Sequence, residues 1–152
     1  METFDKLSPD TKNAVTELVE INADSRKGFQ KARDLVTEPE LVRLFEAMAN
    51  LREEQALELA KFGEMEDPLK SSFSGKLHRW WMDLRSTVSK DETLAVLEEA
   101  ERGEDEIKGR YEKLLKENPG TPLSSLLHSQ YRAVKAGHDR IRDLRDRLRQ
   151  AS

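Results

Sequence analysis

Leu123 to Arg149 reads LSSLLHSQYRAVKAGHDRIRDLRDRLR. Its apolar positions recur at alternating spacings of four and three: Leu127, Tyr131, Val134, Ile141, then Arg145 or Leu144, then Leu148. Such a stripe belongs to a helix packed lengthwise against other helices. His138 falls on it, where a purely structural helix would place another leucine. Working outward, three further stretches repeat the pattern of apolar ends and a polar centre.

The first helix is expected to start at Ser8-Pro9, an N-cap followed by the proline that suits the first helical turn. Its inner face reads Val15, Leu18, Asn22, Ser25, Phe29, Ala32, Val36. The second reads Leu41, Phe45, Met48, Arg52, Gln55, Leu59, Phe62, and Gly63 ends it. The third, about 92–117, carries two competing stripes. One is Leu94, Leu97, Glu101, Glu104, Lys108, Tyr111, Leu115; the other is Leu97, Ala100, Glu104, Ile107, Tyr111, Leu114. Glu104 faces inward on either.

Between the second and third helices, about 63–91, the pattern changes to a turn-rich start and a shorter amphipathic stretch with Leu77, Trp81, Leu84 and Val88 on one side. Antiparallel neighbours in a bundle need only about two to eight connecting residues. A link this long carries the chain back along the bundle, which selects a ferritin-like crossover over simple up-down-up-down topology. The sequence therefore predicts an all-α, ferritin-like four-helix bundle, one domain over 1–152, with a short extra helix in the crossover.

Composition agrees with that reading. Of 152 residues, 37% are charged and 6% aromatic, with only seven glycines and five prolines, the balance of a solvated helical protein. Net charge is −4 with acids and bases mixed, so no field points to nucleic acid or a membrane. The basic tail from Asp139 pairs its arginines with aspartates at helical spacing. Cysteine is absent, which excludes disulfides and thiolate chemistry. METFDKLSPD has no apolar core of a signal peptide, and no apolar run nears the roughly 20 residues that span a bilayer. A cytoplasmic protein is expected.

The inward polar residues are Asn22, Ser25, Arg52, Gln55, Glu104 and His138. Burying a neutral polar group unpaired costs roughly 1–3 kcal/mol, and a charge more. A layer of them must satisfy itself or bind something. Trp80, Trp81 and His78 read as a crossover anchor, and Tyr111 and Tyr131 as core rings with bonded hydroxyls. His128 lies beside the stripe. No phosphate-binding glycine loop or nucleophile–base arrangement is present.

The segments INADSRKGF, SGKLHRWWMDLR, AERGEDE and AGHDRIRDLRD resemble a bacterial family of uncharacterised four-helix-bundle proteins placed in the ferritin-like superfamily, over about 7–149. That superfamily, rubrerythrins included, holds two metals with one Glu from each of two helices and a Glu-x-x-His from each of the others. Laid over this chain from Phe29, Phe45 and Tyr111, the resemblance puts Asn22 at the first Glu and Arg52-x-x-Gln55 at the first Glu-x-x-His. Glu104 is kept, and Lys135-x-x-His138 keeps only the histidine.

Two function classes follow. In the first, a non-catalytic stress-type or scaffold protein, Arg52 replaces the cation, pairs with Glu104 and needs no cofactor. Asn22, Gln55 and His138 complete the hydrogen bonds. In the second, a metal-binding oxidoreductase or storage protein, Glu101, Glu104 and His138 hold iron or zinc. The reading leans to the non-enzymatic class. No partner is identified, and self-association stays open.

Overall fold

The structure, a computed structural model, describes residues 7–63, 65–70, 92–117, 119–120 and 122–151. Four long helices account for nearly all of them: α1 (Pro9–Leu35), α2 (Pro39–Gly63), α3 (Glu92–Lys116) and α4 (Leu123–Ala151). A 3-10 turn, Pro68–Lys70, lies against α1 and α2. The fold is all-α, and the described helices form a four-helix bundle.

Local chemistry sets the helix ends. The Ser8 hydroxyl accepts from the Thr11 amide at 3.1 Å, satisfying one of the four donors that a helix start leaves open, and Pro9 has no amide to satisfy. Three residues separate α1 from α2, so the pair folds back as a hairpin. Phe29 stacks on Phe45, Arg26 meets Glu53 and Arg33 meets Glu46: numbers rise on α1 as they fall on α2. Gly120 sits at φ 90°, the left-handed conformation that glycine tolerates best, in the turn that leads into α4. Tyr111 with Gln130, Asp105 with His138 and Glu98 with Arg149 show α3 and α4 antiparallel.

The direction of α3 settles the topology. Thr93 at its start donates to the Glu38 carboxylate beside the start of α2, at 3.1 and 3.2 Å. Its far end shares a groove with Asp10 and Asn13 at the start of α1. The end of α2 lies at that same far end, with Gly63 beside Val15 and Thr16. Helices α2 and α3 thus run the same way. The 25 residues of α2 extend roughly 37 Å at 1.5 Å each, and the link from 64 to 91 has to return that distance. The extra helix expected in this crossover, with Trp80, Trp81 and His78, lies outside the described residues.

The core consists of the expected stripes. On α1 and α2 every inner position named from the sequence is buried except Phe62, which is partly so. On α3 the second stripe prevails: Leu97, Ala100, Ile107, Tyr111 and Leu114 are buried, while Leu94, Glu101, Lys108 and Leu115 are partly exposed. On α4 the stripe passes through Gln130 rather than Tyr131, and Leu144 rather than Arg145. Residues 21–25 of α1 are all buried, so this helix is covered on every side at its centre. His128 is exposed.

At Gly137 side chains of α2 and α3 reach close to the backbone of α4. A Cβ there would lie 2.8 Å from Met48 Cε and 3.3 Å from Glu104 Oε1. The methionine end can swing away, but the carboxylate oxygen is bound and must be pushed. Gly137→Ala should therefore be net destabilising, with about 1–3 kcal/mol of overpacking against roughly 1 kcal/mol of helix propensity. At Gly109, where nothing lies within 4 Å of a Cβ, the same change should stabilise by about 0.5–1 kcal/mol. Urea denaturation of the two variants checks both signs.

Candidate functional site

Halfway along the bundle, side chains from all four helices meet in one hydrogen-bonded network. On α1, the Asn22 amide donates back to the Leu18 carbonyl at 2.8 Å and across to Tyr111 Oη at 3.1 Å. Tyr111, on α3, donates to Gln130 Oε1 on α4 at 2.7 Å. The Gln130 amide then reaches α2, donating to the Gln55 carbonyl at 3.3 Å and to Glu58 Oε1 at 3.0 Å. Gln55 returns a long bond to the Gln130 carbonyl, and its Oε1 accepts from Arg52 Nη1 at 2.8 Å. Arg52 Nη2 donates to Glu104 Oε1, which brings the network back to α3.

Helical spacing explains the convergence. Arg52 and Gln55 are three apart on α2, and Glu104 and Tyr111 are seven apart on α3, so each pair shares a face. The flanking residues on those faces are apolar and fix the height at which the polar ones meet.

The ion pair is dry. Arg52 is 0% exposed and Glu104 1%, and the guanidinium carbon lies 5.9 Å from the Phe29 ring centroid, a cation–π contact. Burial raises the Glu104 carboxyl above its ordinary range, and the Arg52 charge and hydrogen bond offset this only in part. Glu104 Oε2 has no hydrogen-bond partner, and neither do Arg52 Nε and Asn22 Oδ1. Tyr111 is likewise raised, chiefly by burial.

His138 stands apart from this network. It is 9% exposed and faces the seam between α3 and α4. Its Nε2 lies 2.7 Å from Asp105 Oδ1 and 3.7 Å from Glu101 Oε2, while its Nδ1 lies 3.2 Å from Asp139 Oδ1. Arg145 holds the other Glu101 oxygen. The bond from His138 lowers the Asp139 carboxyl. His138 is buried on the inner stripe, and among the described residues no hydrogen bond ties it to Asn22, Arg52, Gln55 or Glu104. The reason is geometric: Gly137 lies over Glu104, and the next residue is turned about 100° round the helix. Ser25 is buried, yet no hydrogen bond among the described residues joins it to the layer.

The trio Glu101, Glu104 and His138 is also rearranged. Glu101 and His138 are neighbours, but Glu104 turns inward to Arg52, and exposed Asp105 takes the third place. Sequence reading missed Asp105 and Gln130. Both carry the ordinary helical signal, Asp105 four residues after Glu101 and Gln130 midway between Leu127 and Val134. Tyr131 leaves the layer to donate to Glu112 at 2.5 Å, a bond that raises the phenol to about 12 and lowers the carboxyl.

A di-metal centre of the four-helix type needs carboxylates from all four helices. Among the described residues, Glu104 is the one fully buried carboxylate in the hydrogen-bonded layer, and a guanidinium occupies it.

A protein-family model described as "Domain of unknown function (DUF2383)" matches residues 10–117, which takes in α1, α2 and α3. No curated protein matches the chain.

Removing one partner of the buried pair strands the other. Arg52→Met and Glu104→Leu should each cost about 3–5 kcal/mol, while the double variant should be close to neutral. Chemical denaturation of the four proteins gives the coupling. A raised carboxyl also fixes a pH sign: its stabilisation is full below the ordinary value of 4.5 and is lost as pH rises through the raised value. Wild-type stability measured against Glu104→Gln should therefore decline with rising pH above that ordinary range.

Proposed function

The chain belongs to the DUF2383 family, a domain of unknown function, and from that premise we propose a non-catalytic role: a stress-type or scaffold bundle that acts through its surface or by self-association. The observation that carries this reading is the Arg52–Glu104 pair at the centre of the bundle. Arginine is effectively never deprotonated, and its fork matches a carboxylate. A fixed guanidinium charge supplies what a cation would otherwise supply to Glu104, and it repels a second cation from the same place.

On this reading the protein is a ferritin-like bundle whose metal ligands have been exchanged residue by residue, with Asn22, Arg52 and Gln55 at three of the ligand positions. The exchange preserves what a bundle needs from its middle layer, a closed set of polar contacts among four helices. It gives up the chemistry. The polar surface and the absence, among the described residues, of a helix long and apolar enough to cross a membrane suit a protein that works in water.

The second reading, iron or zinc chemistry through Glu101, Glu104 and His138, loses Glu104 to Arg52. What it retains is a different trio on the outer seam.

Ferrous iron and oxygen test the proposal. Purified protein should oxidise iron no faster than buffer and should develop no absorption of an oxo-bridged pair. A protein that accumulates two irons per chain with that absorption would overturn the non-catalytic reading. Arg52→Glu, which restores a carboxylate in place of the guanidinium, would show whether the fold can still host metal.

A further inference from the structure

We propose that Glu101, Asp105 and His138 form a mononuclear site for a divalent transition-metal cation on the seam between α3 and α4, independent of the central ion pair. The three contribute a carboxylate oxygen, a second carboxylate oxygen and an imidazole nitrogen, all within 4.8 Å of one another. Glu101 and Asp105 are four apart on α3 and so lie on one face. His138 closes the triangle from α4.

Distances suit a small cation. Bonds of about 2.1 Å at tetrahedral angles put neighbouring ligand atoms roughly 3.4 Å apart. His138 Nε2 stands 2.7 Å from Asp105 and 3.7 Å from Glu101, on either side of that figure. Side-chain shifts of well under an ångström bring all three to one radius, and the exposed Asp105 is free to make them.

The outer contacts already orient the ligands. Metal-bound histidines commonly hold a carboxylate with the other ring nitrogen, and bound carboxylates are themselves hydrogen-bonded. His138 Nδ1 faces Asp139, which leaves Nε2 to the trio. Arg145 occupies Glu101 Oε1, and Oε2 is the oxygen turned to His138. Neither contact has to break when a cation enters.

Imidazole with two carboxylates favours zinc, iron(II) or manganese over magnesium and calcium, which prefer oxygen alone. Three protein ligands leave a position for water, the arrangement of an open zinc site.

Zinc alone is the probe, by calorimetry on the full chain, with cobalt(II) as its spectroscopic counterpart. One zinc should bind per chain, and the cobalt form should show the visible bands of a low-symmetry, nitrogen-containing site. Asp105→Asn, at a position whose side chain is 62% exposed, should fold normally and weaken zinc about 100-fold or more. His138→Gln should do the same, whereas Asp143→Asn, an exposed aspartate elsewhere on α4, should change nothing. Binding that is not saturable at one site, that survives Asp105→Asn, or that magnesium displaces at equal concentration would overturn the proposal.

Discussion

Everything at the centre of the bundle depends on how one buried guanidinium is satisfied. Arg52 is the bulkiest of the fully buried side chains, and it sits where packing alone would favour leucine or methionine. An isolated charge there would be prohibitive, so the helices are arranged to answer it: Glu104 from α3, Gln55 from its own helix, and the Phe29 ring from α1. The backbone also yields, since α4 presents Gly137 where any larger residue would press on the Glu104 oxygen.

An ion pair of this kind is weak evidence for stability, because desolvating two charges costs about as much as their attraction returns. The three atoms left without partners, Asn22 Oδ1, Arg52 Nε and Glu104 Oε2, point the same way. What the pair supplies is register. Leucines would pack nearly as well after a helix slid by one turn, but Arg52 reaches Glu104 at one height only. The chain of bonds from Asn22 through Tyr111 and Gln130 to Gln55 fixes that height for all four helices.

The architecture was largely legible because it rests on periodicity. Helical stripes at Val15–Val36 and Leu41–Phe62 need no tertiary information, and the length of the 63–91 link is enough to choose the crossover. The two candidate stripes of α3 could not be separated by spacing alone, since they share Leu97, Glu104 and Tyr111; only the approach of α1 and α4 decides between them. The polar centre was legible as a level, not as a set of contacts. Arg52, Gln55, Glu104 and Asn22 share it, yet Gln130 was hidden by Tyr131, the apolar neighbour one position on. His138 is buried as its place on the stripe predicts, but spacing does not tell a residue at the edge of a stripe from one at its centre. A rotation of a few tens of degrees about α4 separates them, and nothing in a single sequence measures that angle.

That rotation has a chemical consequence. Successive residues on a helix point about 100° apart, so Glu104 faces inward and Asp105 outward, while on α4 Gly137 covers the pair and His138 turns to the seam. One level of α3 and α4 thus carries two environments a residue apart. Inside, the Arg52 charge is fixed and water is excluded, so attraction and repulsion are both strong, and a second cation is refused. Outside, Asp105 is open to solvent, charges are screened within about 8 Å at physiological salt, and Arg145 meets Glu101 without closing off its second oxygen. A cation at the proposed seam site would therefore leave the core pair undisturbed, since Glu101, Asp105 and His138 include neither Arg52 nor Glu104. The registering interaction and the Glu101–Asp105–His138 cluster thus lie on opposite faces of the same turn of helix.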